Sequence, residues 1–280
     1  MTIQKTDMFR LFCENFGTIQ NSLIVKLILF TFGGGTPSVL APDYLCQIIN
    51  SAKSTFLTDD AEITVECNPF SLGDEFFEKV SECKVNRLSI GLQSANDGER
   101  RILGRRAGKS EVQSVVSRAK KAGINNISLD VMLGVPGQTK ESLKSTLDFC
   151  ISSGVPHLSC YILKIEENTP FFRMRDKLPF PSDDDTADMY LFMCEYLEEH
   201  GIMQYEISNF AVPGFESRHN LKYWHDEEYL GIGASAHSFL GGKRTYYPRD
   251  IEYFISGNER LTEGCLLYTS PSPRDRSLSR

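Results

Sequence analysis

The chain has 280 residues, 41% of them hydrophobic, which is enough for one large α/β domain or two small ones. Its formal net charge of −7 and its pI near 5.4 argue against a basic surface, so no nucleic-acid partner is expected. The longest apolar run, 23–32, is interrupted by Lys26 and has about half the length that a membrane-spanning helix needs. We expect a cytoplasmic protein, or a mitochondrial one if a transit peptide was lost with a missing N-terminus.

Apolar β-rich runs alternate with helical patterns over the first two thirds of the chain. Each helical pattern has apolar residues at three- and four-residue spacing. Strands that alternate with helices indicate a parallel sheet, and the near-continuous apolar run ending at Phe32 predicts a strand buried on both faces. The prediction is an α/β fold containing a partial (βα) barrel. The predicted strands are 25–32, 62–66, 87–91, 126–131 and 157–163, and the predicted helices are 42–54, 72–83, 110–122 and 139–152.

The pattern changes after residue 163. Residues 166–185 are rich in Pro, Asp and Phe and are predicted to form a long loop, followed by a helix at 186–200 and a strand at 204–209. The small residues at 231–236 allow close approach of the backbone to a ligand or another segment. Residues 269–280 are rich in Ser, Pro and Arg, and we expect a disordered or non-native tail there.

Polar residues stand where the predicted strands end. The first strand leads into the glycines 33–35, and the later ones end at Glu66, Gln93 and Asp130, while Arg105 follows a helix. Taken singly, each is more typical of a tight turn, a helix cap or a solvated arginine than of a site. Together at one barrel mouth they would bind amino, carboxylate and ribose groups. The glycine turn matches neither a P-loop nor a dinucleotide-binding fingerprint.

Residues 218–224, RHNLKYW, combine a histidine, a tyrosine and the only tryptophan. A neutral imidazole is a ligand for iron, and aromatic faces pack on a flat apolar ring, so the combination suits haem. The simpler interpretation is a histidine and two aromatic side chains packed at a domain edge.

The eight cysteines contain no CxxC or CxxxC pair, and the closest two are ten residues apart. Each cysteine alone therefore indicates a reduced and mostly buried thiol rather than a metal ligand.

Seven ordered motifs resemble the radical S-adenosylmethionine (SAM) superfamily, in the branch that contains oxygen-independent coproporphyrinogen III oxidase and the HemW-type haem chaperones. The resemblance covers about three quarters of the chain, from Phe32 to Phe239. It implies a partial TIM-type barrel over 21–165, a C-terminal α/β extension over 166–265, and a tail over 266–280 that does not belong to the family. The motifs are FGGGTPS, ECNP, RLSIGLQS with the following LGR, SLDVMLGVPGQT, YEISNFA, RHNLKYW and YLGIGASAHSF.

The resemblance also implies ligands for particular residues. The HNxxYW pattern is similar to the haem-binding segment of the HemW group, with His219 as axial iron ligand or pocket residue and Tyr223 and Trp224 as stacking walls. Other candidate iron ligands are His225, His237 and Cys160. The residues implied to contact SAM are Gly34, Gly35, Thr36, Glu66, Gln93, Arg105 and Asp130.

The family holds a [4Fe–4S] cluster with a CxxxCxxC loop that precedes the glycine turn, whereas this chain has only Cys13 in that region. We therefore expect a chain truncated at both ends, in which cluster binding and SAM cleavage are in doubt and no catalytic residue is assigned.

Three functions compete. HNxxYW favours a haem chaperone that binds haem or a porphyrin and transfers haem to acceptor haemoproteins, with membrane contact only through the acceptor. The alternatives are an oxygen-independent coproporphyrinogen III oxidase, which decarboxylates propionate side chains, and a cofactor-free α/β scaffold that retains the motifs.

Overall fold

The computed structural model describes residues 27–33, 37–55, 57–167 and 169–263. Gly34, Gly35 and Thr36 and the predicted tail at 266–280 lie outside the described residues, so their predicted roles stay predictions.

Helices follow the first five strands in turn, as the alternating sequence pattern predicts. The strands of the larger sheet are β1 (Leu27–Phe32), β2 (Leu57–Cys67), β3 (Arg87–Gln93), β4 (Asn126–Leu133), β5 (His157–Ile162), β6 (Met203–Gln204) and β7 (Asn209–Ala211). The helices in this part are α1 (Pro42–Thr55), α2 (Asp74–Glu82), α3 (Asp97–Ile102), α4 (Lys109–Lys121), α5 (Lys140–Ser152), α6 (Pro170–Met174), α7 (Asp183–Glu199) and α8 (Arg218–Trp224). Short 3₁₀ helices span Pro37–Val39 and Pro69–Ser71.

The strand order of the larger sheet is β1-β2-β3-β4-β5-β7-β6. Strands β1 to β5 pair in parallel, and β7 pairs antiparallel with both β5 and β6. Parallel neighbours joined by helices make a partial (βα) barrel, which confirms the predicted fold class. All carboxyl ends of β1 to β5 therefore lie at one end of the sheet, and their amino ends lie at the other.

The helices form where an apolar stripe and a capping residue coincide. In α4 the buried residues are Val112, Val115, Val116 and Ala119, which have the three- and four-residue spacing of one helix face. Helix α7 begins after Ser182, whose hydroxyl accepts a hydrogen bond from the Asp185 amide at 3.0 Å. The stripe that α7 buries includes Met189, Met193 and Leu197.

Three expectations from the sequence are wrong in detail. The strand predicted at 204–209 is instead a hairpin turn between β6 and β7, because the Tyr205 amide donates to the Asn209 carbonyl at 3.1 Å. The loop predicted at 166–185 contains α6 and the first turn of α7. Strand β1 lies at the edge of the described sheet with Ile28 39% exposed, so it is not buried on both faces.

The chain divides into two compact units, with a boundary between Leu221 and Lys222. The larger unit, Lys26–Leu221, contains the partial barrel. The smaller one holds a three-stranded antiparallel sheet of β8 (His237–Leu240), β9 (Lys243–Tyr246) and β10 (Leu261–Thr262), together with helix α9 (Ile251–Ile255). The predicted division at residue 165 stays a prediction. Among the described residues, no helix has the length and apolar character to cross a membrane.

Helix α7 offers a matched test of its packing. Leu197 is fully buried, whereas Leu191 on the same helix is 59% exposed. We expect Leu197→Ala to lower the free energy of unfolding by about 2–5 kcal/mol, since it removes apolar burial and leaves a cavity. Leu191→Ala makes the same change in helix propensity and should cost less than about 1 kcal/mol. Urea unfolding of both variants measures the difference, and equal losses would show that this face of α7 does not pack as described.

Candidate functional site

A polar cleft of about 410 Å³ lies at the carboxyl ends of β2, β3 and β4. It collects four of the residues that the sequence analysis assigned to SAM, namely Glu66, Gln93, Arg105 and Asp130. The parallel register explains this, because Glu66 pairs with Ser89 and Gly91 pairs with Asp130. The other lining residues are Cys67, Asn68, Pro69, Phe70, Ser89, Gly91, Gly104, Arg106 and Ala107.

Glu66 lies where β2 approaches the end of β1. A Cβ atom added to Gly33 would stand 2.6 Å from Glu66 Oε1, so the backbone that leads into the glycine turn passes directly beside this carboxylate. Asn68 follows two residues later, and its side chain accepts a hydrogen bond from the Phe70 amide at 3.1 Å, which caps the 3₁₀ turn. These contacts fix one wall of the cleft.

Gln93 ends β3 in the left-handed backbone region, with φ of 68°. The register between β3 and β4 shifts between Gly91 and Gln93, and the bulge turns the buried Gln93 side chain toward Gly91, where an added Cβ would meet its amide nitrogen at 3.2 Å. A non-glycine residue with positive φ is uncommon and costs roughly 1 kcal/mol or more, and such residues cluster at functional sites.

The carboxyl group of Asp130 in this cleft has a strongly raised pKa. Burial raises its pKa to about 7 and the negative charge of Glu66 adds to that effect, while the hydrogen bond from Ser89 Oγ at 2.9 Å and the charge of Arg105 oppose it. Asp130 therefore exchanges a proton near neutral pH, as acids and hydrogen-bonding groups at functional sites often do. Arg105 itself is exposed, in the loop after α3, and together with Arg106 it supplies positive charge to the cleft.

The RHNLKYW segment begins at the opposite end of the barrel. The Ser217 amide donates to the Tyr205 hydroxyl at 3.2 Å, and the amides of Arg218 and His219 each donate to the carboxylate of Glu62 at 3.3 Å. The guanidinium of Arg87, the first residue of β3, donates to the Phe215 carbonyl at 3.4 Å. The chain from residue 215 to 220 is thus anchored by interior side chains.

The His219 imidazole is largely buried at this end. Its burial and then the nearby positive charge of Arg87 lower its pKa to about 4, so the ring is neutral at physiological pH. The neutral imidazole is the form of histidine that binds iron.

Tyr223 and Trp224 belong to the smaller unit. Tyr223 is 44% exposed and packs edge-on against Tyr229, with ring centroids 4.7 Å apart, and Trp224 is half-buried. Their predicted packing against a porphyrin stays a prediction.

The three alternative iron ligands differ in accessibility. Cys160 is 1% exposed, and burial raises its pKa well above the ordinary value for a thiol. His237 Nδ1 lies 2.7 Å from Glu263 Oε1, and its ring stacks on Tyr246. His225 is mostly exposed and lies near Glu227. His225 is therefore the most accessible of these three groups.

The sequence analysis did not select the polar residues at the amino end of the barrel, among them Glu62, Arg87, His157 and Tyr205. The pattern that marks most of them is a polar residue at every second position of otherwise apolar strands, as in Glu62-Ile63-Thr64-Val65-Glu66. Because successive strand residues point to opposite faces, this alternation indicates a polar interior face.

The described cysteines are free, and Cys46, Cys67, Cys83, Cys150 and Cys160 are buried, as predicted. In the described ranges no three His, Cys, Asp or Glu side chains are grouped as metal ligands. The polar cleft fits the amino, carboxylate and hydroxyl groups of SAM, whereas these cysteines do not fit a [4Fe–4S] cluster, which requires clustered thiolates.

Comparison with known proteins identifies relatives of this chain. The Radical SAM superfamily profile matches residues 23–150. Heme chaperone HemW of Lactococcus lactis subsp. lactis is 41% identical over 253 residues, which cover 88% of this chain and 67% of that protein. Heme chaperone HemW of Bacillus subtilis is 39% identical over 246 residues, covering 86% and 65%.

A solved structure of coproporphyrinogen III oxidase (HemN) from Escherichia coli superposes with a TM-score of 0.79 and 21% identity, over 93% of this chain and 65% of that one. This likeness confirms the fold alone. The chain spans about two thirds of the length of these three proteins.

The raised pKa of Asp130 predicts a pH-dependent stability. A carboxyl whose pKa rises from 3.8 to about 7 on folding holds its proton more tightly in the folded state. Its contribution is therefore present at low pH and is lost as the pH rises through 7. Between pH 5 and pH 8 we expect wild type to lose on the order of 2 kcal/mol of unfolding free energy relative to Asp130→Asn. Urea unfolding at both pH values measures this, and the exposed Asp188→Asn serves as the control. A constant difference between wild type and Asp130→Asn would contradict the buried carboxyl.

Proposed function

This chain belongs to the radical SAM superfamily and, within it, to the HemW family of heme chaperones, and we propose on that premise that it binds haem and transfers it to acceptor haemoproteins. Haem or a porphyrin is the small-molecule partner in this proposal. We place the proposed activity in the cytoplasm, or in the mitochondrion, with membrane contact only through the acceptor.

The observation that carries the proposal is the protonation state of His219 together with the anchoring of its main chain. Its imidazole is neutral because burial and Arg87 lower its pKa to about 4, and its main chain is fixed by Glu62. A neutral and oriented imidazole is a suitable axial ligand for haem iron. In the proposal Tyr223 and Trp224 add apolar area against the porphyrin.

The position of His219 favours a chaperone over an oxidase. Its anchor, Glu62, stands four residues before Glu66 on β2, a separation of about 13 Å along the strand. If His219 binds the iron of a porphyrin at the Glu62 end, the porphyrin would not present its side chains to the cleft at the Glu66 end. Oxidative decarboxylation, the alternative function, would need the porphyrin propionates close to SAM.

For SAM we propose the cleft at the carboxyl ends. Glu66 and Asp130 would accept hydrogen bonds from the amino and ribose hydroxyl groups, while Arg105 would contact the carboxylate. Gly34, Gly35 and Thr36 would hold the methionine moiety through their backbone, as in the family. Bound SAM would supply radical chemistry with an electron from a [4Fe–4S] cluster, and no step of that kind is assigned to this chain, because the cysteines in its described residues do not fit the cluster.

The haem site is tested by spectroscopy of single variants. We expect His219→Ala to shift the Soret band and to raise the Kd for haem, because the axial nitrogen sets the electronic state of the iron. Trp224→Ala should raise the Kd and leave the ligand-field bands unchanged, since ring packing supplies mainly apolar contact. Haem titration followed by absorbance measures both quantities.

His200→Ala is the matched control, because His200 is an exposed histidine directly after α7 and lies outside the proposed site. The variants His225→Ala, His237→Ala and Cys160→Ala identify the ligand if it is not His219. A wild-type spectrum and affinity in His219→Ala would remove this residue from the site and would end the preference for a chaperone.

The SAM cleft is tested by calorimetric titration with SAM. We expect Glu66→Ala to raise the Kd by about tenfold, since it removes a hydrogen-bond acceptor worth roughly 1–3 kcal/mol. Gly35→Val should weaken binding as well, because a branched side chain would stand where the backbone has to approach the ligand. Glu78→Ala, a change at an exposed glutamate of α2, is the control. Unchanged affinity in both test variants would place the SAM site elsewhere.

A further inference from the structure

Glu62 is a buried carboxylate that neither the SAM cleft nor the proposed iron ligands account for. It is 6% exposed and lies in the middle of β2 on the interior face of the barrel. Its two oxygens accept hydrogen bonds from two successive backbone amides, Oε2 from Arg218 and Oε1 from His219, both at 3.3 Å. A charged group is seldom placed in an interior unless its hydrogen bonds are used.

The two amides belong to the first turn of α8, where backbone N–H groups have no partner within the helix. Ser217 Oγ accepts a hydrogen bond from the Asn220 amide at 3.3 Å, and so serves one more of these donors. Helix α8 has seven residues, fewer than an isolated helix needs for stability. The direction of its first turn is therefore set by the groups that hold these amides.

The charges around Glu62 are consistent with this use. Arg87 is 3% exposed and its guanidinium attracts Glu62, while it donates hydrogen bonds to Asn126 Oδ1 at 2.6 Å and to the Phe215 carbonyl. The guanidinium of Arg218 donates to the Asp60 carbonyl at 3.2 Å, at the outer rim. The buried carboxylate is thus balanced by Arg87 and remains available to accept from the amides.

We propose that Glu62 is the positioning residue that orients the His219 imidazole, by holding the first turn of α8 against the amino end of the barrel. Glu62 does not touch the ligand in this proposal and acts through the main chain of His219. The orientation of the ring is a property of the free protein. Its consequence for haem rests on the proposed function.

Two conservative variants separate reach from charge. Glu62→Gln keeps the length of the side chain and one acceptor oxygen, which can hold the His219 amide, but it removes the charge and leaves the Arg218 amide facing an NH2 donor. Glu62→Asp keeps the charge but withdraws the carboxylate by one methylene, roughly 1.5 Å, from amides that are already 3.3 Å away. A positioning role requires reach, so Glu62→Asp should have the larger effect. Glu78→Gln, at an exposed glutamate, is the control for both.

The first measurement needs no haem. Histidine C2–H resonances of the 280-residue chain are followed by NMR against pH, and His219→Ala assigns the His219 signal. In wild type and in Glu62→Gln we expect the pKa of His219 to stay near 4. In Glu62→Asp it should rise toward the ordinary value of about 6.5, because a released first turn exposes the ring to water. The charged group that acts on the pKa of this ring is Arg87, and none of these variants changes it.

The second measurement is haem titration of the same variants. We expect Glu62→Asp to raise the Kd about tenfold and to broaden or shift the Soret band, while Glu62→Gln stays within a few-fold of wild type. Circular dichroism and urea unfolding verify that each variant is folded. If Glu62→Asp does not fold, the isosteric Glu62→Gln still tests the proposal. A purely electrostatic role for Glu62 predicts a changed His219 titration in Glu62→Gln, whereas a positioning role predicts an unchanged one.

The outcomes distinguish the two proposals. A His219 titration that moves in Glu62→Asp and not in Glu62→Gln supports positioning, whether or not haem binds. The reverse pattern, or a wild-type titration in a folded Glu62→Asp, overturns it. If the Glu62 variants behave as expected by NMR but wild type and His219→Ala bind haem identically, the proposed function fails and the positioning role stands.

Discussion

Polar side chains at alternate positions of the barrel strands must find partners inside the protein. On β2 to β5 they lie on one face of the parallel sheet, and a buried polar group without a partner costs about 1–3 kcal/mol. His157 illustrates the solution, because it is fully buried and both of its ring nitrogens lie 2.8 Å from a hydroxyl, that of Ser128 and that of Tyr205. Burial lowers the pKa of His157 well below its ordinary value, so it is a neutral member of this network. Thr58 Oγ1 and Thr64 Oγ1, both on β2, are exceptions, being buried without a hydrogen-bond partner within the described chain.

This constraint divides the interior face into two ends with different chemistry. At the carboxyl end the strands stop and their last polar residues, Glu66 and Asp130, open into a cleft. Toward the amino end, the buried polar residues Glu62 and Arg87 are covered by the chain at 215–220, whose backbone forms hydrogen bonds with both. One strand pattern therefore produces both a ligand-sized cleft and an anchor for the histidine segment.

The strands and the cleft could be predicted from the sequence for a simple reason. A polar residue after an apolar run marks a strand end, and parallel pairing brings such ends together, so Glu66, Gln93 and Asp130 line one cleft. Glu62 and Arg87 are the first residues of the strands predicted at 62–66 and 87–91. A polar residue at the start of a strand does not indicate a particular contact until its partner is known. Their partners, Arg218, His219 and Phe215, are more than a hundred residues away in sequence. The hairpin turn after Gln204 could not be predicted, because Tyr205 and Ile207 are typical strand residues, and the reversal is visible only in the antiparallel pairing of β6 with β7 and in the Tyr205 to Asn209 hydrogen bond.

The carboxyl end and the amino end of the barrel differ in the pKa values of their ionisable groups, and this difference affects how each end would bind a ligand. Asp130 has a pKa near 7, set by burial and the charge of Glu66, and His219 has one near 4, set by burial and Arg87. Around neutral pH the cleft therefore changes its protonation state while the histidine stays neutral. Ligand binding that neutralises or pairs Asp130 would depend on pH, whereas coordination through His219 would keep its affinity until the pH fell toward 4. The proposed iron site at the amino end would thus be insulated from the proton chemistry of the cleft, as the proposed function requires if haem is to stay bound while the cleft binds and releases its own ligand.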